Sequence, residues 1–283
     1  MAITLTEKFA ELVDERFAPM AVTTAGTNQD YEWAGAQTVK LTGVNTVAMN
    51  DYKRSGSDRY GTPAELENEI QELTLTKDRS FTFTLDKMNE EETKMKAAEA
   101  LARQMREVVV PEIETYRLKV MGDKAGGQGT GAITKENAYE SFLKGNEHLD
   151  DNSVPENRVA FVTPAYLNLL KLDENFVKAS DLSQDQIRFK GQVGEVDGAA
   201  IVKATKKFMG EYEFIIAHAS VTVAPVKLAE TKVHIDPPGL SGTLVEGRFY
   251  YDAFVRNQKK NGLYAHKAGT APETKTAART AAK

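Results

Sequence analysis

The chain has 283 residues, 41% of them hydrophobic and 27% charged, and 36 Lys+Arg against 41 Asp+Glu give a formal net charge of −5. Folding at this length removes roughly three quarters of the extended chain's surface from water, so a sizeable core is affordable. Cysteine is absent and histidine occurs only at His148, His218, His234 and His266. That excludes disulfide staples, thiolate nucleophiles and cysteine-ligated clusters, and it argues against a histidine-rich metal centre. A net negative chain also lacks the global positive field that holds phosphates. No apolar run reaches the roughly 18–20 residues of a bilayer span, and Glu7, Glu11, Asp14 and Glu15 do not suit a secretory leader. The expectation is a soluble protein of a reducing compartment.

Leu5, Phe9, Leu12, Val13 and Phe17 recur at helical spacing and predict a short amphipathic helix over 4–17, stopped by Pro19. Residues 20–36 are small and polar, anchored only by Tyr31 and Trp33, and read as an arm in need of a partner surface. A Thr-rich stretch with Val39, Leu41, Val44 and Val47 has strand character, and the charged, glycine-bearing segment 50–69 follows as a long loop. Leu73, Leu75, Phe81, Phe83 and Leu85 then occupy odd positions around a polar turn over 76–80, alternation that lays one face on an apolar surface. Together 38–85 form a two- or three-stranded β-excursion, and a lone hairpin of that kind is marginal in water.

The strongest helix signal covers 89–121. Asn89 can cap it, Glu90, Glu91 and Glu92 oppose its positive end, and Met95, Ala98, Ala102, Met105, Val109, Ile113, Tyr116 and Val120 form its stripe. At about 1.5 Å per residue it would span near 50 Å, longer than most domains are wide. Pro111 should kink it, and Gly122 with the run 126–131 should end it.

The second half alternates helix and strand. A helix is expected over 138–149, a turn over 150–157 and a strand over 159–162. Thr163-Pro164 then opens a helix carrying Tyr166, Leu167, Leu169 and Leu170, in cap-then-proline order. Residues 191–202 read as a glycine-punctuated hairpin and 213–223 as a buried strand. Further strands are expected at 231–235, 248–256 and 262–266, and a disordered tail after Lys267.

Candidate chemistry is sparse. Gly127-Gln-Gly129-Thr-Gly131-Ala132 matches the dinucleotide fingerprint in letters, but a helix precedes it where a strand is required, so a flexible connector is expected. Ser241 sits in turn composition after Pro237-Pro238, and no nucleophile elbow or P-loop occurs. His218 reads as a packed strand residue, and His234 and His266 lie in or beside other strands. The pairs Lys53-Arg54, Lys206-Lys207 and Lys259-Lys260 read as solvated faces, and the tail bases Lys267, Lys275, Arg279 and Lys283 as a solubilising end. No catalytic, cofactor-binding or metal-ligating residue is assigned, and an enzyme is not expected. An arm without a core, a β-excursion without a sheet and an overlong helix all expose surface that copies of the same chain can cover by symmetry.

This order of elements resembles the major capsid proteins of tailed bacteriophages, the HK97-like fold, over about residues 1–267. The matching text is Val159-Ala-Phe-Val-Thr-Pro-Ala-Tyr-Leu-Asn-Leu-Leu170, the glycine-spaced Gly191-Gln-Val-Gly-Glu-Val-Asp-Gly198-Ala-Ala-Ile-Val202, the strand Phe214–Val223, and the later strands over 233–237, 247–255 and 262–264.

The resemblance implies an α+β chain with an N-terminal arm (1–36) and an extended β-hairpin loop (37–86) lying across a neighbour. It further implies a spine helix with part of a peripheral domain (87–124), a mostly axial domain (125–205), a peripheral sheet with remaining axial elements (206–267) and a tail (268–283). Its implied role is self-assembly into pentamers and hexamers of an icosahedral shell around packaged double-stranded DNA, contacted weakly and non-specifically. That places the chain in the virion, assembled in the host cytoplasm, with a portal, an optional decoration protein and no membrane as partners. Only about 35 residues precede the β-excursion, so a separate scaffolding protein is expected. Some relatives join loop lysines to asparagines; Lys53 with Asn257 or Asn261 is the pair at hand, and no bond is assigned. Three other readings stand beside this one: an encapsulin-like nanocompartment shell, a nucleotide-binding enzyme using Gly127–Ala132, and a phage tail or portal component.

Overall fold

The apolar runs 159–162 and 214–217 lie side by side at the centre of a six-stranded mixed sheet, and every side chain in them is buried. A computed structural model of the chain describes residues 21–28, 38–44, 46–57, 59–63, 65, 68–87, 97–174, 176 and 194–269. The expected helix over 4–17, the helix start at Asn89–Glu92, residues 191–193 and the tail from Thr270 lie outside the described residues.

The sheet runs in the order β4 (Gly127–Gly131), β13 (Leu263–Ala268), β8 (Tyr212–His218), β5 (Arg158–Val162), β7 (Ala199–Lys203), β6 (Glu195–Val196). The β4–β13 and β5–β7 pairs are parallel and the rest antiparallel. Successive strand side chains point to opposite faces, so the runs split in two. Val159, Phe161, Ile215 and Ala217 join Leu118, Met121, Phe208 and Leu263 on one side. Ala160, Val162, Phe214 and Ile216 meet Phe142, Tyr166 and Leu170 on the other. The second layer comes from α3 (Ala138–Asp151) and α4 (Pro164–Leu172). Thr163 caps α4 as its sequence predicts, accepting the Tyr166 amide at 3.2 Å. The β6–β7 hairpin turns on Asp197 and Gly198, both at positive φ (48° and 73°), the conformation a two-residue hairpin needs.

The long helix comprises α1 (Ala97–Gln104), a π-turn over Met105–Val109 and α2 (Val110–Asp123). Pro111 lacks an N–H, and its ring would strike the carbonyl four residues back in a regular helix. The wide turn just before it absorbs that conflict. Two corrections follow. Gly122 does not end the helix but lies within its last turn, under the Tyr212 ring, where a Cβ would come within 2.3 Å. The apolar stripe also does not keep to one surface: Met105, Val109, Ile113 and Tyr116 seat on one sheet, then Val120 packs with buried Leu118 and Met121 on the six-stranded sheet.

The first of those seats is a three-stranded antiparallel sheet of β10 (Val226–Ile235), β11 (Gly242–Tyr251) and β3 (Lys77–Asp86). Phe81, Phe249 and Tyr251 face the helix. The expected polar turn over 76–80 is therefore mostly strand: Lys77–Ser80 pair with Tyr251–Arg248, and Arg248 holds Asp78 at 2.5 Å. The expected strand over 231–235 begins earlier, at Val226, and the one over 248–256 begins at Gly242 and stops at Tyr251; the two join through residues 236–241. The expected strand over 213–223 breaks after His218 and resumes as β9 (Thr222–Val223), paired with β12 (Phe254–Val255).

The glycine run 126–131 is not a flexible connector. It forms β4, and His148, Tyr264 and His266 press onto it: a Cβ on Gly127 would sit 2.7 Å from His148 Nε2, and one on Gly129 would sit 2.3 Å from Tyr264 Oη. Glycine is required there by close approach. Gly129→Ala should therefore cost about 1–3 kcal/mol by overpacking, read as a lower midpoint in denaturant; an unchanged midpoint would show that the side chains above it move aside freely.

Candidate functional site

Three internal ties fix which surfaces the chain leaves open. The first is Asp252, buried where β11 ends. Its carboxylate accepts from the Thr76 amide and hydroxyl (both 2.8 Å), from Tyr116 Oη (2.6 Å) and from the Ala253 amide (2.8 Å). One side chain thus joins the corner before β3, the helix α2 and the end of β11. Burial first, then this hydrogen bond, raises the Tyr116 phenol well above its ordinary range.

The second tie is Glu114, buried on α2. It accepts from the Val22 and Thr23 amides (2.9 and 2.8 Å) and from Thr23 Oγ1 (2.8 Å), with Arg117 Nη1 3.6 Å away. Gly26 lies against the Phe161 ring, and the Asn28 amide donates to the Thr222 carbonyl at 2.7 Å. Residues 21–28 were expected within an arm awaiting a partner; they bind their own chain.

The third tie sits at the root of the β-excursion. Here β1 (Thr38–Val44) and β2 (Asn68–Thr74) form a two-stranded antiparallel ladder. Gln71 donates to the Val255 carbonyl and accepts from the Asn257 amide (both 3.0 Å), while Leu73 and Leu75 bury against Val223. β3 leaves the excursion for the other sheet, so among the described residues no third strand joins this ladder.

Beyond that root the excursion projects. Met49 is 99% exposed, Tyr60 83%, Ile70 58% and Tyr52 53%. The tip is nonetheless built: the Tyr52 and Tyr60 rings meet edge-on at 5.1 Å, the Lys53 amide donates to the Arg59 carbonyl at 2.9 Å, and Arg59 Nε donates to the Gly56 carbonyl at 3.2 Å. An apolar side chain of this size contributes about 1.5–3 kcal/mol only once it is buried. Within one subunit the tip therefore adds little, and its shape makes sense as half of a contact. Val233 and Ile235 on the edge strand β10 are likewise open.

The residues weighed for chemistry do not converge. Among the described residues no three His, Cys, Asp or Glu side chains are placed to hold a metal, and no helix is long and apolar enough to cross a membrane. Ser241 sits in the β10–β11 turn. His218 faces Ser220 Oγ at 2.9 Å, and burial lowers its pKa. His234 pairs with Glu246 at 3.4 Å. The nucleotide reading of Gly127–Ala132 fails on packing, because the approach to Gly127 and Gly129 is filled by this chain's own rings. The sequence signal for the tip was the run of charge and glycine over 50–69; nothing local marked Asp252 or Glu114.

No protein-family model and no curated protein matches the sequence. Solved structures do. A protein of Mycobacterium phage Che8 superposes with a TM-score of 0.79 at 18% identity, covering 93% of this chain and 96% of that one. A chain of the mature capsid of bacteriophage PhiM1 gives 0.75 at 14% identity, covering 95% and 93%. A chain of the capsid of cyanophage P-SCSP1u gives 0.75 at 11% identity, covering 94% and 93%. The α+β, HK97-like architecture expected from the order of elements is the fold this chain has.

Proposed function

We propose that this chain is the major capsid subunit of a tailed bacteriophage, a structural component of the virion and not a catalyst. Its copies assemble as pentamers and hexamers into an icosahedral shell in the host cytoplasm. The observation that carries the reading is the projecting excursion: a tip with internal order, apolar side chains in water and a root pinned by Gln71, Leu73 and Leu75. The likeness across nearly the full chain to proteins of the PhiM1 and P-SCSP1u capsids supports it. In this assignment 37–86 lies on a neighbouring subunit, 87–124 is the spine, 125–205 is mostly axial and 206–267 returns to the peripheral sheet. A separate scaffolding protein, a portal and an optional decoration protein belong to the same proposal. So does packaged double-stranded DNA, held loosely because a subunit of net charge −5 offers phosphates little purchase.

The test is a triple variant, Met49→Ser, Tyr52→Ser, Tyr60→Ser. The subunit's melting temperature should stay within about 2 °C of wild type, since surface changes of this kind shift stability by only a few tenths of a kcal/mol. Shell formation seen by electron microscopy should be lost. Normal shells from the triple variant would remove the tip from the assembly contact.

A further inference from the structure

Among the described residues β4 is bound on one side only, by β13, and its inner surface is bare glycine backbone. Two imidazoles close over it. His148 Nε2, reaching from α3, covers Gly127; His266 Nδ1, from β13, covers Gly129. Both nitrogens are buried and have no hydrogen-bond partner among the described residues. The His266 ring stacks on Phe214 at 5.2 Å, nearly parallel at 8°, and its Nε2 lies 3.3 Å from the Gly131 carbonyl. That geometry selects the neutral ring with its proton on Nε2, donating to β4, and leaves Nδ1 bare in a slot without a donor.

We propose that β4 is an acid-released edge strand: protonation of His266 unseats Gly127–Gly131 from β13 while the rest of the sheet holds. A second ring proton would create a buried N–H on Nδ1, and the neighbours there offer no acceptor in hydrogen-bond geometry. The groups facing the ring are few. Tyr264 shares its strand, while Lys267 is drawn away, over the Tyr212 ring and to Glu211 at 3.3 Å. Among the described residues Glu213 on β8 is the carboxylate that favours the imidazolium, and it is engaged by Thr163 Oγ1 and Lys206 Nζ, both at 2.8 Å. Tyr166 on α4 stacks on Phe214 at 4.8 Å, His148 on α3 meets Tyr264 at 5.9 Å, Tyr212 on β8 packs on the other side of the sheet, and β4 itself supplies no titratable side chain.

Burial lowers the His266 pKa from its ordinary 6.5, outweighing the Gly131 and Glu213 contributions. The folded chain therefore holds this proton less well than the unfolded chain. Its stabilising contribution is full above pH 6.5 and is lost as pH falls through the depressed folded value. β4 gives way because it has one strand neighbour among the described residues and a glycine-rich backbone. Its departure would bare the β13 edge, Leu263–Ala268, as a row of unpaired backbone groups able to accept another strand.

Amide exchange read by mass spectrometry tests this on the full-length subunit. Between about pH 7.5 and about pH 5, protection factors over 127–131, corrected for intrinsic rates, should fall at least about tenfold, while those over 214–217 change less than about threefold. His266→Gln can keep an N–H toward Gly131 but does not titrate, so it should hold its protection at both pH values. Unchanged protection over 127–131 in the wild type would overturn the proposal, as would an equal fall in His266→Gln. Should that variant not fold, the wild-type pH series decides alone: a midpoint below 6.5 supports the release, and one above it contradicts it.

Discussion

Asp252→Ala should lower the subunit's melting temperature by roughly 10 °C. The carboxylate accepts four hydrogen bonds from Thr76, Tyr116 and Ala253, and removing it strands those donors in a buried site. Leaving a buried donor unsatisfied costs about 1–3 kcal/mol. Some of these donors recover water, so a total of about 3–5 kcal/mol is expected, and a domain of this size loses about 2–4 °C per kcal/mol. Asp252→Asn keeps one acceptor oxygen and should lose about half as much. Tyr116→Phe removes a single donor and should cost about 1–2 kcal/mol. Because Thr76 roots the excursion, Asp252→Ala should also expose the 74–77 corner to protease. A melting temperature within about 2 °C of wild type would show that the junction is held by packing of Leu73, Leu75 and Tyr251 alone.

Glu114→Ala should be about as costly, for a different reason. Arg117 is 8% exposed, and burial already lowers its pKa against the pull of Glu114. Without Glu114, the partners that cation keeps among the described residues are Thr23 Oγ1 at 3.3 Å and the Ala224 carbonyl at 3.4 Å. Breaking one partner of a buried ion pair costs about 3–5 kcal/mol, much of it the penalty on the charge left behind. The double variant Glu114→Ala, Arg117→Met should therefore recover about half of the loss in a thermal melt. Additive losses would contradict this and assign the whole effect to the anchoring of Val22 and Thr23. In either case residues 21–28 should be cut faster by protease in Glu114→Ala than in wild type.

Much of the fold was legible because its signals are local. Thr163-Pro164 is a helix start by cap and fixed φ, Asp197-Gly198 is a turn by its tolerance of positive φ, and the runs at 159–162 and 214–217 are apolar on both faces because both are covered. The illegible parts depend on partners far along the chain. Lys77–Ser80 looks like a polar turn until β11 supplies a ladder and Arg248 pairs with Asp78. Gly122 looks like a helix end until Tyr212 claims the space above it. Gly127 and Gly129 look like a hinge because the rings that need their bareness come from α3 and β13. The projecting excursion was readable as a stretch with no sheet of its own. Asp252 and Glu114, each an acid in an unremarkable setting, were not, since a buried carboxylate is identified by its donors and not by its neighbours in sequence.

The most direct test of the assembly claim is cryo-electron microscopy of the full-length protein purified from expressing cells, with and without a candidate scaffolding protein. Closed shells with fivefold and sixfold clusters, whose subunits extend residues 46–65 over a neighbour, are the expected result. A protein that stays a single folded copy at tens of micromolar under both conditions, with Met49, Tyr52 and Tyr60 still in water, would contradict it.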